Sequence, residues 1–166
     1  MSKTNVAKPR RRAGFSSSVE PAHGVVLSPS AHSFVTLLGL PSCDTAELRE
    51  RIRQGLTYRS WDRFLARTGL GKEAVIELLQ MTPRTLARRR SEGRLHSHES
   101  DRLVRAARIF SQAVALFEGD DDAARRWLAH PQAALGGSTP WDYAGTEIGA
   151  REVENLIGRL EHGIPS

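Results

Sequence analysis

The chain has 166 residues, a formal net charge of +5 and 39% hydrophobic residues, enough for the core of one domain or two small ones. Residues 1–60 carry nine basic and four acidic side chains, whereas residues 119–166 carry four basic and eight acidic ones, which indicates two different partners. The single cysteine, Cys43, excludes an internal disulfide and a thiolate metal cluster, and it fits a reducing cytoplasm. No run of apolar residues is long enough for a membrane span.

Residues 1–40 are rich in serine, proline, glycine and basic side chains and lack a helical period, which predicts a flexible, disordered basic arm. The exception is VVLSPSAHSFVTLLGL, which we expect to pack or pair locally. The motif RRRAGF invites an export-signal interpretation, but the following SSSVEPAHG is not the apolar run that such a signal requires. The sequence leaves open whether the arm attracts phosphates or only improves solubility.

From Asp44 onward the apolar residues recur at helical spacing. DTAELRERIRQGL begins at an Asp-Thr cap, and SWDRFLARTG is expected to start at Ser60 and to end at Gly69. GKEAVIELLQ follows at once as a third helix. Ser97 is predicted to cap a long, amphipathic fifth helix, which comes after a fourth helix in the arginine-rich segment. Because no stretch is convincing as a strand, the predicted fold class is all-α.

The acidic final third contains three further predicted helices. Three aspartates before AARRWLAH suit a helix start, where acids interact favourably with the helix dipole, and this interpretation is preferred to metal binding. Thr139 and Pro140 start a short helix that runs through Tyr143, and the last helix is predicted over residues 149–162. The side chains expected on its buried face are Val153, Leu156, Ile157 and Leu160.

An arginine-rich segment, MTPRTLARRRSEGRL, lies in the second of two short helices predicted back to back over residues 71–80 and 82–92. This is the layout of a helix-turn-helix, whose second helix enters the major groove of DNA. Arginine suits that role because its guanidinium bridges two guanine acceptors or clamps a phosphate. The candidate DNA contacts, all expected on or near the outward face, are Thr82, Arg84, Thr85, Arg88 and Arg89.

The sequence leaves open two alternatives to a role of this helix in DNA recognition. The arginines could form a solvated face that only keeps the helix soluble. In addition, Gln80 occupies the turn position usually given to glycine, and Ile76 a position usually given to alanine. Both departures are compatible with a degenerate helix-turn-helix that is retained as a scaffold.

Catalytic and metal-binding patterns are weak in this sequence. LHSHES contains two histidines and Glu99, but ligands two residues apart diverge on a helix and no second ligand pair follows. Cys43 has no histidine at a motif-like distance, and no glycine-rich phosphate loop is present. We therefore expect no enzyme, no metal and no cofactor, which leaves a hydrolase or transferase without a candidate site.

The stretch from Ile52 to Ser166 resembles the Xre/MbcA/ParS family of bacterial antitoxins. The resemblance is carried by MTPRTLARRRSEGRL, ESDRLVRAARIFSQA, ARRWLAHPQAALGGSTPWDYAGTE and GAREVENLIGRLEHGIPS, in this order. It implies an Xre-like helix-turn-helix domain at 41–117 and a small helical toxin-binding domain at 118–166. The flexible basic arm at residues 1–40, predicted from composition, lies outside the resemblance.

The family further implies a cytoplasmic, homodimeric protein that binds operator DNA and neutralises a cognate RES-domain toxin that consumes NAD. The last helix and tail, here residues 149–166, would block the pocket of the toxin. The residues that this resemblance assigns to toxin binding are Arg151, Glu152, Glu154, Arg159, Glu161, His162 and Ile164. Periodicity alone favours an ordinary closing helix with solvated charges. The rival function is a stand-alone helix-turn-helix transcription regulator without a toxin partner.

Overall fold

The computed structural model describes residues 26–27 and 33–163. Helices dominate this part of the chain and strands are almost absent from it, which confirms the predicted all-α fold class. The helices are α1 (Phe34–Leu37), α2 (Thr45–Gln54), α3 (Tyr58–Thr68), α4 (Lys72–Leu78), α5 (Pro83–Glu92), α6 (Ser97–Leu116), α7 (Asp121–Ala129), α8 (Pro140–Tyr143) and α9 (Glu147–Glu161). A single 3₁₀ turn, Ala133–Leu135, lies between α7 and α8.

Two short strands precede α2 and hold the start of the described chain against it. β1 (Val26–Leu27) pairs antiparallel with β2 (Cys43–Asp44). Val35 and Leu38, in and just after α1, are fully buried in the core. This agrees with the expectation that VVLSPSAHSFVTLLGL packs or pairs locally, and residues 33–40 are therefore not part of a flexible arm. The rest of the predicted arm, apart from β1, lies outside the described residues.

Two helix starts in the N-terminal part differ from the predicted ones. α3 begins at Tyr58 after Thr57, and the predicted start Ser60 is buried inside the helix. α6 is preceded by His96 rather than capped by Ser97, because the Glu99 carboxylate accepts the His96 backbone N–H at 2.7 Å. The stop predicted for α3 is confirmed, since Gly69 has the left-handed φ of +64°.

The twenty-residue helix α6 is the centre of the fold. It packs against α1, α2 and α3 of the N-terminal part and against α7 and α9 of the C-terminal part. Leu103, Ile109 and Phe110 are among its buried side chains and belong to one continuous hydrophobic cluster. The N-terminal and C-terminal parts of the described chain are therefore both packed on this one helix.

Candidate functional sites

The first candidate site is the helix pair α4–α5. The Oγ1 of Thr82 accepts the backbone N–H of Thr85 at 3.1 Å, Pro83 is the first helical residue, and Gly93 ends α5 with φ +72°. Leu86 points inward and is 2% exposed. The start, the stop and the inward side of α5 therefore agree with the predictions from the sequence.

Two of the predicted DNA contacts present their guanidinium groups to solvent. Arg84 and Arg88 are exposed and lie four residues apart, which places them on one face of α5. The Arg88 side chain is 62% exposed, with its Nε 3.8 Å from Glu92 Oε1. Thr82 is exposed and Thr85 is half-buried at the N-terminal end of the same helix. This end thus carries a small polar and cationic surface.

Arg89 does not belong to that surface, and its predicted outward placement is wrong. Its side chain is 2% exposed, and its Nε donates to both carboxylate oxygens of Glu99 at 2.9 and 2.7 Å. Its two other nitrogens reach Glu92 Oε2 at 2.5 Å and His96 Nδ1 at 3.0 Å. The physical reason is that Arg89 lies one turn from Leu86 on the inward side, where α6 supplies a carboxylate.

Charge pairing keeps Glu99 ionised inside the fold. Burial alone would raise the pKa of its carboxyl, but the hydrogen bonds from Arg89 and from the His96 backbone outweigh burial, and the pKa lies below its ordinary value. The hydrogen bond to Glu99 correspondingly raises the pKa of Arg89. A buried pair of this kind fixes the orientation of α5 on α6.

The turn between α4 and α5 keeps helix-turn-helix geometry despite its two unusual residues. Gln80 adopts φ +51°, the left-handed conformation that glycine ordinarily supplies. Its Nε2 donates to the Gly145 carbonyl at 3.1 Å, and Arg102 donates to the carbonyl of the preceding Leu79 at 2.9 Å. Ile76 is buried in the core, so its larger side chain is accommodated. The turn is therefore bonded to both α6 and the α8–α9 connection.

The second candidate site is α9, which starts two residues before the predicted position 149. Thr146 is the cap, and its Oγ1 accepts the Gly149 N–H at 3.1 Å. Gly149 lies directly against α8, because a Cβ atom there would stand 1.8 Å from the Tyr143 carbonyl oxygen. This contact sets the corner between α8 and α9.

The buried face of α9 is narrower than predicted. Val153, Leu156 and Ile157 are at most 2% exposed, whereas Leu160 is 37% exposed, so the predicted burial of Leu160 is wrong. The reason is position, since Leu160 lies in the last turn of α9, one residue before its end. The buried face of α9 thus runs from Gly149 to Ile157 and does not reach the last turn.

Glu154 differs from the other charged residues predicted for α9. Its carboxylate accepts from Arg108 Nε of α6 at 2.5 Å, and its side chain is only 21% exposed. The placement of Glu154 on the free side of the helix is therefore wrong. Arg151, Glu152, Glu161 and His162 are exposed, and Arg159 is half-buried. Ile164 lies outside the described residues.

Glu147 connects α9 to α6 at its N-terminal end. Its Oε2 lies 2.9 Å from Arg105 Nε, and its Oε1 lies 3.2 Å from Arg151 Nε. The hydrogen bond from Arg151 is the main cause that holds the pKa of Glu147 below its ordinary value. Two ion pairs, Arg105–Glu147 and Arg108–Glu154, therefore connect α6 to α9.

The sequence did not identify Ile148, a large apolar residue that is 79% exposed in the first turn of α9. The Thr146-Glu147 pair is a helix-start signal that would have placed Ile148 inside the helix and off its buried stripe. Tyr143, just before this turn, is 38% exposed. Trp141 is half-buried and lines a groove of about 480 Å³ between α4 and α8, and its buried Nε1 has no hydrogen-bond partner among the described residues.

Other chemistry finds little support in the part of the chain that the structure describes. No group of three histidine, cysteine or carboxylate side chains there is arranged for a metal ion. Cys43 is buried, and this burial raises the pKa of its thiol. None of the helices in the described ranges combines the length and apolarity needed to cross a bilayer.

Two family models match the chain. A model described as an antitoxin Xre-like helix-turn-helix domain matches residues 47–108, and one described as an antitoxin Xre/MbcA/ParS C-terminal toxin-binding domain matches residues 112–163. A protein named Antitoxin Xre from Photorhabdus laumondii is 35% identical over 147 residues, covering 88% of this chain and 97% of the relative.

Two further relatives have the same name. The protein from Yersinia enterocolitica is 36% identical over 128 residues, which cover 76% of this chain and 86% of the relative. The protein from Pseudomonas putida is 33% identical over 130 residues, which cover 76% of this chain and 79% of the relative.

Proposed function

The chain belongs to the Xre antitoxin family, and from this membership we propose that it is the antitoxin of a type II toxin–antitoxin pair. It represses its own operon by binding operator DNA through α5, and it neutralises a RES-domain, NAD-consuming toxin through its C-terminal segment. It acts by binding rather than by catalysis, as a homodimer in the cytoplasm. The observation that carries the proposal is the match of two family models, one to each candidate site.

DNA binding is assigned to the outward side of α5. Arg84 and Arg88 are exposed there, on the same face as the helix start with its Thr82 and Thr85 hydroxyls, so this side of the helix offers both phosphate and base contacts. Arg89 is left out, because all its nitrogens already have partners inside the fold. Its role is to hold α5 on α6.

Toxin neutralisation is assigned to α9 and the residues that follow it. Arg151, Glu152, Glu161 and His162 are exposed, and Arg159 is half-buried beside them. In a polar pocket, Arg159 would pair with a carboxylate and Glu161 with an arginine that otherwise binds nucleotide phosphate. Ile164 would follow them into the pocket, whereas Glu154 would support α9 from α6 instead of touching the toxin.

The DNA assignment is tested by replacing Arg84 and Arg88 together with alanine. Binding to the promoter fragment upstream of the gene should weaken, and the salt slope should fall by about one unit for each phosphate that the variant no longer neutralises. The matched control is Arg126→Ala, an exposed arginine of α7. Unchanged promoter affinity, or an equal loss of toxin affinity, would contradict the assignment.

Neutralisation is tested by ending the chain after Gly158. Deleting all of residues 149–166 would also remove Val153, Leu156 and Ile157 from the core, whereas the shorter deletion keeps them. Co-expressed with a RES-domain toxin from the same host, the truncated chain should no longer protect growth, while Arg126→Ala should protect fully. Continued protection by the truncated chain would refute the blocking role.

The alternative is a stand-alone transcription regulator, which the cationic face of α5 alone would serve equally well. The absence of a RES-domain gene beside this one, combined with promoter binding by the purified chain, would favour the regulator.

A further inference from the structure

An apolar corner is exposed where α8 meets α9. Among the described residues, the large apolar side chains that remain exposed are Tyr143, Ile148 and Leu160. Ile148, at 79%, is exposed about twice as much as either of the others. The Tyr143 carbonyl lies against Gly149, the residue next to Ile148, so the two exposed side chains belong to adjoining turns.

Ile148 also lies on the free side of α9. With 3.6 residues per turn, positions 148, 152, 155 and 159 fall on one line, which we call the α9 stripe. Glu152 and Asn155 are exposed and Arg159 is half-buried, while the core residues of the helix face away from this line. Ile148 is therefore the apolar end of an otherwise polar stripe.

Within the described residues, no contact explains an isoleucine at this position. Ile148 is the second residue of α9, where the helix dipole favours an acidic side chain. A β-branched side chain loses rotamer freedom in a helix, and this one gains almost no burial in return. Burial of this side chain would need a partner outside the described residues.

We propose that Ile148, with Tyr143 beside it, is the apolar anchor by which the α9 stripe holds the toxin. The proposal rests on the proposed function and deepens it. The toxin is the occupant because Tyr143, Ile148 and Leu160 all lie inside residues 112–163, the range matched by the toxin-binding family model. The stripe also continues into Arg159 and the blocking segment, so one partner contacts both.

Anchoring and blocking are then separate tasks along one helix. Ile148 precedes Arg159 by eleven residues, a distance of about 16 Å along the helix axis. Apolar anchors surrounded by polar contacts dominate the affinity of protein interfaces. The corner therefore supplies affinity, and the segment after Gly158 supplies inhibition.

The test is Ile148→Asp in the full chain, with affinity for the purified RES-domain toxin of the growth assay measured by calorimetry. An acid at this position suits the helix start, so the variant keeps the fold. The control is Ala46→Asp, which places the same acid on the exposed second residue of α2. We expect at least tenfold weaker binding for Ile148→Asp, and a change under twofold for Ala46→Asp and for Ile148→Leu.

Each other outcome has a distinct meaning. Toxin affinity within twofold of wild type for Ile148→Asp refutes the anchor but leaves the antitoxin function intact. Conversion of a dimer to a monomer by Ile148→Asp, with toxin affinity unchanged, refutes the anchor and assigns the corner to a second copy of the chain. A wild-type chain that does not bind the toxin refutes the proposed function itself. The chain truncated after Gly158 should still bind the toxin, and loss of its binding would refute the division of tasks.

Discussion

Arg89 differs from the other arginines of α5 because it is enclosed by the fold. The exposed Arg88 lies next to it in the sequence, yet only Arg89 meets the Glu99 carboxylate of α6. A buried ion pair is costly to break from one side, since the remaining charge loses its partner inside the core. Arg89 is thus structural, although it lies within the motif that predicts DNA contact.

Arg89→Ala should lower the free energy of unfolding by about 3–5 kcal/mol, because it leaves the buried Glu99 carboxylate unpaired. Arg88→Ala is the matched control, and it should change the stability little, since its side chain is 62% exposed and its nearest carboxylate oxygen is 3.8 Å away. Urea denaturation followed by circular dichroism measures both. Equal effects of the two substitutions would contradict the structural role of Arg89.

Glu99 should make the stability dependent on pH on the acid side. Its pKa in the folded chain lies below the ordinary value of about 4.3, so its stabilising contribution is complete above that value. The contribution is lost as the pH falls through the lower, folded-state pKa. Glu99→Gln should therefore be less stable than wild type at pH 7, and the difference should shrink towards pH 3. Unfolding free energies measured across this range would contradict the prediction if the difference stayed constant.

At the scale of elements, α9 combines a close contact at its start with a free exposed side further along. Gly149 packs on the Tyr143 carbonyl, whereas a Cβ at Gly158 would have no atom within 4 Å. The same residue type therefore has opposite importance at the two positions. At Gly149 it permits the α8–α9 corner, and at Gly158 it only costs helix propensity.

Gly149→Ala should destabilise the chain by more than about 1 kcal/mol, because its Cβ would force α9 away from α8. Gly158→Ala, on the same helix, should instead stabilise it by about 0.5–1 kcal/mol through helix propensity. Thermal unfolding of both variants measures the two signs. A stabilised Gly149→Ala variant would show that the corner yields without cost.

At the scale of the whole molecule, α6 connects the two candidate sites, α4–α5 and α9, through one shared hydrophobic core. Its residues pack against α2 and α3 on the DNA-binding side and against α7 and α9 on the other. The two family matches end and begin inside this helix, at residues 108 and 112. Since the hydrophobic cluster is continuous across α6, we expect the two parts to unfold together.

Cooperative unfolding can be followed with tryptophans on the two sides. Trp61 is buried in α3, and Trp127 lies half-buried 6.3 Å from the Phe117 ring, between centroids. Single-tryptophan variants that retain either one should give coincident fluorescence transitions in urea. Two separated midpoints would indicate that the C-terminal part unfolds independently.

Local signals in the sequence determined most of the helices. Caps such as Thr82 and the prolines that follow them act within one helical turn, so α5 and α8 were placed correctly from neighbouring residues alone. The all-helical fold follows from the same short-range periodicity, and the family resemblance follows from motifs in collinear order. The exposure of Arg84 and Arg88 also follows from local sequence, because both residues face away from the inward Leu86 on the same helix.

Tertiary structure alone decided which charged side chains are free. Arg89 and Glu99 are ten residues apart and Arg108 and Glu154 forty-six, and each pair forms only because α6 packs on the partner helix. The exposure of Ile148 and Leu160 likewise depends on where the neighbouring helices end. A helical period gives the angle of a side chain around its axis, but only packing determines whether another element covers that angle.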